Sequence, residues 1–137
     1  MRNTIRRRYR GVAPLASTLL GTTGCLLAAA GAGAGGAIYL TDRGVESHVA
    51  ASVARTYEAS RASFQELGIT ETRTATRTEG GVETRELEGA LPDREITVTV
   101  RTESDGAHVS VVARRSAVTW DKDFARSLLE KIVAAVQ

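Results

Sequence analysis

The sequence predicts an α+β domain: a four- to five-stranded antiparallel meander with two helices packed on one face, after an N-terminal signal or anchor segment. Three observations predict it. Turn signals divide the middle of the chain into segments whose apolar residues share one face, and an amphipathic segment lies on each side of that region. The chain opens with an arginine-rich stretch followed by an uncharged one, and its 137 residues allow one domain.

Residues 1–24 have the three-part organisation of an export signal, with a basic start, an apolar stretch and small residues before Cys25. The basic residues are Arg2, Arg6, Arg7, Arg8 and Arg10. They account for five of the 18 Lys and Arg residues, so 13 basic and 16 acidic residues follow, a formal charge of −3. The basic character therefore belongs to the leader, and the acidic remainder argues against a nucleic-acid partner.

The residues before Cys25 are similar to a bacterial lipobox, in which an aliphatic residue and two small residues precede the cysteine. The lipobox positions are Leu20, Thr22, Thr23 and Gly24, with Thr22 where leucine is usual. Cys25 is the only cysteine, so it has no partner within the chain for a disulfide bond. We expect signal removal before Cys25 and lipid attachment to it, with more than one acyl chain for stable anchoring.

An uncleaved transmembrane segment is the alternative, because no charge occurs from Gly11 to Thr41. Gly31 and Gly35 would then provide a small-residue helix contact. We favour a Gly/Ala-rich spacer over residues 25–36. Both interpretations place the domain, residues 37–137, outside the cytoplasm.

The domain begins with one extended segment from Ile38 to about Val49. Ser52 then opens a helix whose apolar residues are Val53, Tyr57, Phe64 and Leu67. Gly68 is a suitable end for it.

Three pairs of residues predict two-residue hairpin turns: Gly80-Gly81, Pro92-Asp93 and Asp105-Gly106. The resulting register pairs Arg73 with Glu88, Leu87 with Val98, and Val98 with Ala113. Cross-strand partners share a face, so the apolar residues fall on one face and the charged residues on the other. A final helix follows, capped by Asp121 or Asp123. Its apolar residues are Phe124, Leu128, Leu129, Ile132, Val133 and Val136.

Residues with the chemistry of an active site do not cluster in this sequence. His48 and His108 are far apart and lack ligands at metal-binding spacing, and no phosphate loop or cofactor motif is present. We therefore expect no catalytic residue, metal or cofactor. Glu86 and Glu88 suggest a small envelope hydrolase as an alternative, but ion pairing with Arg73 and Arg77 on a solvated face explains them without catalysis.

The charged sheet face is the candidate surface for a partner. Its members are Arg73, Arg77, Glu86, Glu88 and Arg101. We expect a membrane contact through Cys25 and an unidentified envelope protein as a possible partner, but no small-molecule substrate.

The order of features from Cys25 to the end resembles a family of small bacterial lipoproteins, the domain of unknown function DUF3568. The resemblance rests on the Gly/Ala-rich run after Cys25, the strand ending near Val49, the helix ending in residues 64–69 (FQELGI) and the segment at 124–132 (FARSLLEKI). It implies an α+β domain anchored in the bacterial cell envelope, and no particular activity. Our expectation for the location is the periplasmic side of the envelope, at the outer membrane.

Overall fold

The computed structural model describes residues 35–137, which form one antiparallel sheet and two helices. The strands are β1 (Gly35–Leu40), β2 (Gly44–Val49), β3 (Thr70–Glu79), β4 (Val82–Leu91), β5 (Arg94–Glu103), β6 (Gly106–Ser116) and β7 (Thr119–Trp120). The helices are α1 (Val53–Glu66) and α2 (Lys122–Val136). The predicted α+β class is confirmed.

The sheet has seven strands, in the order β1-β2-β6-β5-β4-β3, with the short β7 paired to β6. This exceeds the predicted four or five, because the segment from Ile38 to Val49 is two strands and not one, and because the short β7 was not predicted. The Thr41 hydroxyl accepts a hydrogen bond from the Gly44 amide at 3.0 Å, and the Thr41 amide donates to the Gly44 carbonyl at 2.9 Å. These bonds close a turn that folds the segment into a hairpin. Strand β1 begins at Gly35, so it includes the last two residues of the predicted spacer.

The predicted register of the meander is confirmed across its first two turns, where Arg73 pairs with Glu88 and Leu87 with Val98. Gly80 and Gly81 have φ angles of 57° and 81°, as a tight hairpin turn requires. The predicted third turn is wrong by two residues of register, since Val98 pairs with Val111. The two loop residues are Ser104 and Asp105, and Gly106 is the first residue of β6. Glycine is needed at position 106 because a Cβ there would collide with the Val49 carbonyl oxygen. A two-residue shift keeps every side chain on its predicted face.

A β-bulge in β3 changes the faces of two residues. Arg73 pairs with Glu88 but Glu71 pairs with Gly89, so Thr72 is the extra residue. The sequence places Glu71 on the charged face and Thr70 on the apolar face, and both assignments are wrong. Glu71 instead lies on the helix side, where the Arg61 Nε donates to it at 3.0 Å.

Helix α1 begins and ends as predicted. The Ser52 hydroxyl accepts from the Arg55 amide, and Gly68 has a φ of 67°. The buried face differs from the predicted one, because Tyr57 and Leu67 are only partly buried and three hydroxyl residues are fully buried. These are Thr56, Ser60 and Ser63. Ser60 and Ser63 donate to carbonyls four residues earlier, at 2.9 Å each, which satisfies their hydroxyls within the helix.

The core lies between the helices and one face of the sheet. Phe64 from α1, Leu128 and Ile132 from α2, and Leu87 and Val98 from the sheet are all fully buried. Both helices contact the sheet and each other, which leaves the opposite face of the sheet uncovered by either helix.

Candidate functional site

The candidate site is the sheet face opposite the helices, here called the open face. Side chains alternate along each strand, so neighbours of the buried Leu87, Val98 and Val100 point to this face. All five residues predicted for the interaction face lie there: Arg73 and Arg77 on β3, Glu86 and Glu88 on β4, and Arg101 on β5.

Of the three arginines predicted for the interaction face, two are paired and one is not. The Arg73 Nη1 lies 3.4 Å from the Glu88 Oε1, as the register predicts. The Arg101 Nη2 lies 3.6 Å from the Glu103 Oε1, a long contact between half-exposed groups. Within residues 35–137, neither Arg77 nor Glu86 has an oppositely charged partner within 4 Å. Cross-strand ion pairing therefore accounts for only part of the charged face.

One row of residues across the open face consists of four basic side chains and one hydroxyl side chain, all of which can donate hydrogen bonds. Register partners taken from five neighbouring strands make up this basic row: Arg77, Thr84, Arg101, His108 and His48. The row crosses the sheet at right angles to the strands, with adjacent members about 5 Å apart at their Cα atoms. The basic row is therefore continuous across the five neighbouring strands β3, β4, β5, β6 and β2.

The two histidines in the basic row are direct register partners, which their separation in the sequence does not suggest. The His48 Nε2 lies 3.0 Å from the Asp105 Oδ1 and 3.8 Å from the Glu103 Oε2. The His108 Nε2 points toward Glu46, with 3.4 Å between Nε2 and Oε2. In the part of the chain that the structure describes, no three His, Cys, Asp or Glu side chains are placed to hold a metal ion.

Two cavities lie near the same end of the sheet. A groove of about 270 Å³ on the open face is lined by Arg77, Glu79, Val82, Thr84 and Arg101. A larger one of about 500 Å³ lies at the start of α1, where its walls include Ser52, Glu83 and Asp105. Glu86 and Glu88 line neither cavity.

Hydrogen-bonded ion pairs shift the pKa values of three groups, at the turn between β4 and β5 and on the helix side of the sheet. A hydrogen bond from Arg94 holds the pKa of the Asp93 carboxyl below its usual range, and the same bond raises the pKa of Arg94. On the helix side, the hydrogen bond to Glu71 raises the pKa of Arg61. In each case the ion pair stabilises the charged form of the group, and the pKa shifts as a result.

The predicted lipobox, Leu20, Thr22, Thr23 and Gly24, and the lipid-attachment residue Cys25 lie outside the described residues. Neither helix in residues 35–137 combines the length and the apolar character needed to cross a membrane.

Comparison with known families finds one match, over residues 12–135, to the family described as protein of unknown function DUF3568. The chain belongs to the DUF3568 family. The match covers residues 12–34, ahead of the described domain, and all of that domain except its last two residues. Comparison with curated proteins and with solved structures found no match.

Proposed function

We propose that this DUF3568 protein is a lipid-anchored, non-enzymatic protein of the bacterial cell envelope that binds a partner through its open face. The open face itself carries the proposal, because each of five strands adds a polar or charged side chain to one row that neither helix covers. Antiparallel sheets often leave one face in water, so exposure alone is ordinary. The incomplete pairing of its charges is what favours a binding role.

A non-enzymatic role fits the placement of the carboxylates. The hydrolase alternative requires Glu86 or Glu88 in an enclosed site that raises a carboxyl pKa. Glu88 is paired with Arg73, and neither carboxylate lines either of the two cavities described above. We therefore propose binding in preference to hydrolysis.

The proposed anchor and the domain are close in sequence. Gly35 follows Cys25 by ten residues, and a fully extended chain of that length spans about 35 Å. Gly35 pairs with Val49, so the chain enters the domain at the end of the sheet that holds the Ser104-Asp105 loop. That end, which also holds both cavities, would lie nearest the membrane.

We expect wild-type protein to incorporate labelled fatty acid in growing bacteria, and Cys25→Ala to lose the label and remain as the unprocessed precursor. The reason is that the thiol of Cys25 would be the only acceptor in the chain for a thioether-linked lipid. Metabolic labelling and the mass of the mature N-terminus measure both outcomes. Thr22→Leu, which introduces the usual lipobox residue, should be processed at least as fully as wild type.

Unlabelled wild-type protein would contradict the lipid anchor. If Met1 were also still present in the mature protein, the result would support the single-pass alternative instead.

We expect a photo-reactive amino acid at Thr99, in the middle of the open face, to cross-link one discrete partner in intact cells. The matched control is the same amino acid at Glu130, an exposed position on α2. A binding face predicts an adduct from Thr99 that is absent from Glu130. Equal products from both positions, or none from Thr99, would count against the open face as the binding surface.

A further inference from the structure

We propose that the groove between Arg77 and Arg101 on the open face is a binding site for an oxyanion, the phosphate or carboxylate group of a small ligand. The inference rests on the proposed binding role of the open face and adds a small-molecule ligand to the partner proposed for that face.

The register places two arginines on either side of one threonine. Arg77 is paired with Thr84, and Thr84 with Arg101, on three neighbouring strands. The arginine Cα atoms are thus about 10 Å apart. All three residues line the same groove of about 270 Å³. Two arginine side chains that line one groove together with a threonine offer the planar donors that phosphate and carboxylate groups accept from.

The charge of these arginines is available to a ligand. Arg77 has no acidic partner within 4 Å in residues 35–137, and Arg101 has only the 3.6 Å contact with Glu103. Other arginines are held more tightly: Arg94 lies 2.6 Å from Asp93 and 2.8 Å from Asp121. An incoming oxyanion would therefore replace water at Arg77 and would compete with only one long ion pair at Arg101.

The remaining lining residues restrict the ligand. Glu79 places a carboxylate at the edge of the groove, which disfavours a ligand that is anionic over its whole surface and favours an amine or hydroxyl beside the oxyanion. Val82, 39% exposed, offers a small apolar contact. The groove volume suits a small ligand. An acidic polymer such as nucleic acid would be repelled by Glu79 and Glu103, which lie on the neighbouring row. The ligand class is a small phosphorylated or carboxylated molecule that also carries a hydrogen-bond donor.

The test is a titration of purified, isotope-labelled full-length protein with inorganic phosphate, followed by the backbone amide signals of residues 77, 84 and 101. Serine phosphate, which adds an amine and a carboxylate, is the second probe, and sodium chloride at equal ionic strength is the control. We expect saturable binding with a dissociation constant of about 1 mM or below for serine phosphate, and weaker binding of phosphate. Arg77→Gln and Arg101→Gln should each weaken binding about tenfold, because each removes charge-assisted hydrogen bonds.

Arg73→Gln is the matched control, because Arg73 lies on the same face and strand but is paired with Glu88. It should change the affinity less than twofold. The inference is overturned if neither probe saturates, or if the three variants weaken binding equally, as they would for a diffuse charge effect. Cross-linking at Thr99 is independent of these titrations, so loss of the oxyanion site alone would leave the open face intact as a protein-binding surface.

Discussion

Phe64→Ala should lower the free energy of unfolding by about 3–5 kcal/mol, the largest effect expected of any single truncation in the core. Phe64 is fully buried on α1. Its ring covers the helix side of β4 at Gly89, where a Cβ would lie 2.5 Å from the Phe64 Cε2 and 2.6 Å from the Ile69 Cγ2. Removing the ring leaves a cavity between helix and sheet that the rigid β4 backbone cannot fill. Denaturant-induced unfolding followed by circular dichroism measures the loss.

Two further variants separate this packing effect from a general loss of aromatic area. Tyr39→Ala removes an aromatic ring that is 64% exposed, and it should change stability by less than about 0.5 kcal/mol. Gly89→Ala should cost about 1–3 kcal/mol in wild type, because the new methyl group meets the Phe64 ring. In the Phe64→Ala background that cost should fall to the part caused by the Ile69 methyl group, which a Cβ at position 89 would also approach to 2.6 Å. A full Gly89→Ala penalty without the ring would show that the ring does not explain the glycine.

Local chemistry made much of this fold predictable. Two of the three predicted hairpin turns, Gly80-Gly81 and Pro92-Asp93, are specified correctly by adjacent residues, and the alternation of apolar and polar residues then assigns the faces. That reasoning placed Arg73 opposite Glu88 and put all five candidate residues on one face. The predicted faces of β6 are correct despite the error at the third turn, because a register shift of two residues moves no side chain to the other face.

Features that depend on pairing distant segments were not predictable in this way. The basic row needs β2 beside β6, a contact between residues about 60 positions apart with no turn to specify it. His48 and His108 therefore looked unrelated. The bulge at Thr72 has no local signal either, and it becomes intelligible only once Glu71 is seen to meet Arg61 on α1. Similarly, Gly106 resembles a turn residue until the Val49 backbone is placed against it.

We expect Asp121→Ala to destabilise the domain by about 2–4 kcal/mol, because one carboxylate holds the start of α2 in three ways. Its Oδ1 accepts from the Phe124 amide at 3.0 Å as the N-cap, a contribution of about 0.5–2 kcal/mol. Its Oδ2 lies 2.8 Å from the Arg94 Nη1 and 2.9 Å from the Arg115 Nη2. The Asp121 side chain is only 13% exposed and that of Arg94 only 14%, so water replaces these bonds poorly.

The junction around Asp121 matters beyond the helix end, because it joins three parts of the domain. The Asp121 amide donates to the Ala113 carbonyl of β6 at 2.8 Å. Arg94 connects Asp121 to the turn between β4 and β5, because it also pairs with Asp93. The Arg94 guanidinium lies 4.7 Å from the Phe124 ring centroid. Asp121→Asn keeps an oxygen for the N-cap but removes the charge, so it should cost about half as much as alanine.

Asp123→Ala is the matched control, since Asp123 is an exposed acid in the first turn of α2 and should contribute only about 0.3–1 kcal/mol through the helix dipole. Thermal and denaturant unfolding of the three variants ranks them directly. The order expected is Asp121→Ala, then Asp121→Asn, then Asp123→Ala. If the two Asp121 variants were equally destabilised, the charge of Asp121 and not its N-cap hydrogen bond would hold the junction. If Asp121→Ala cost no more than Asp123→Ala, neither the charge nor the cap would hold it, and the apolar face of α2 alone would dock the helix.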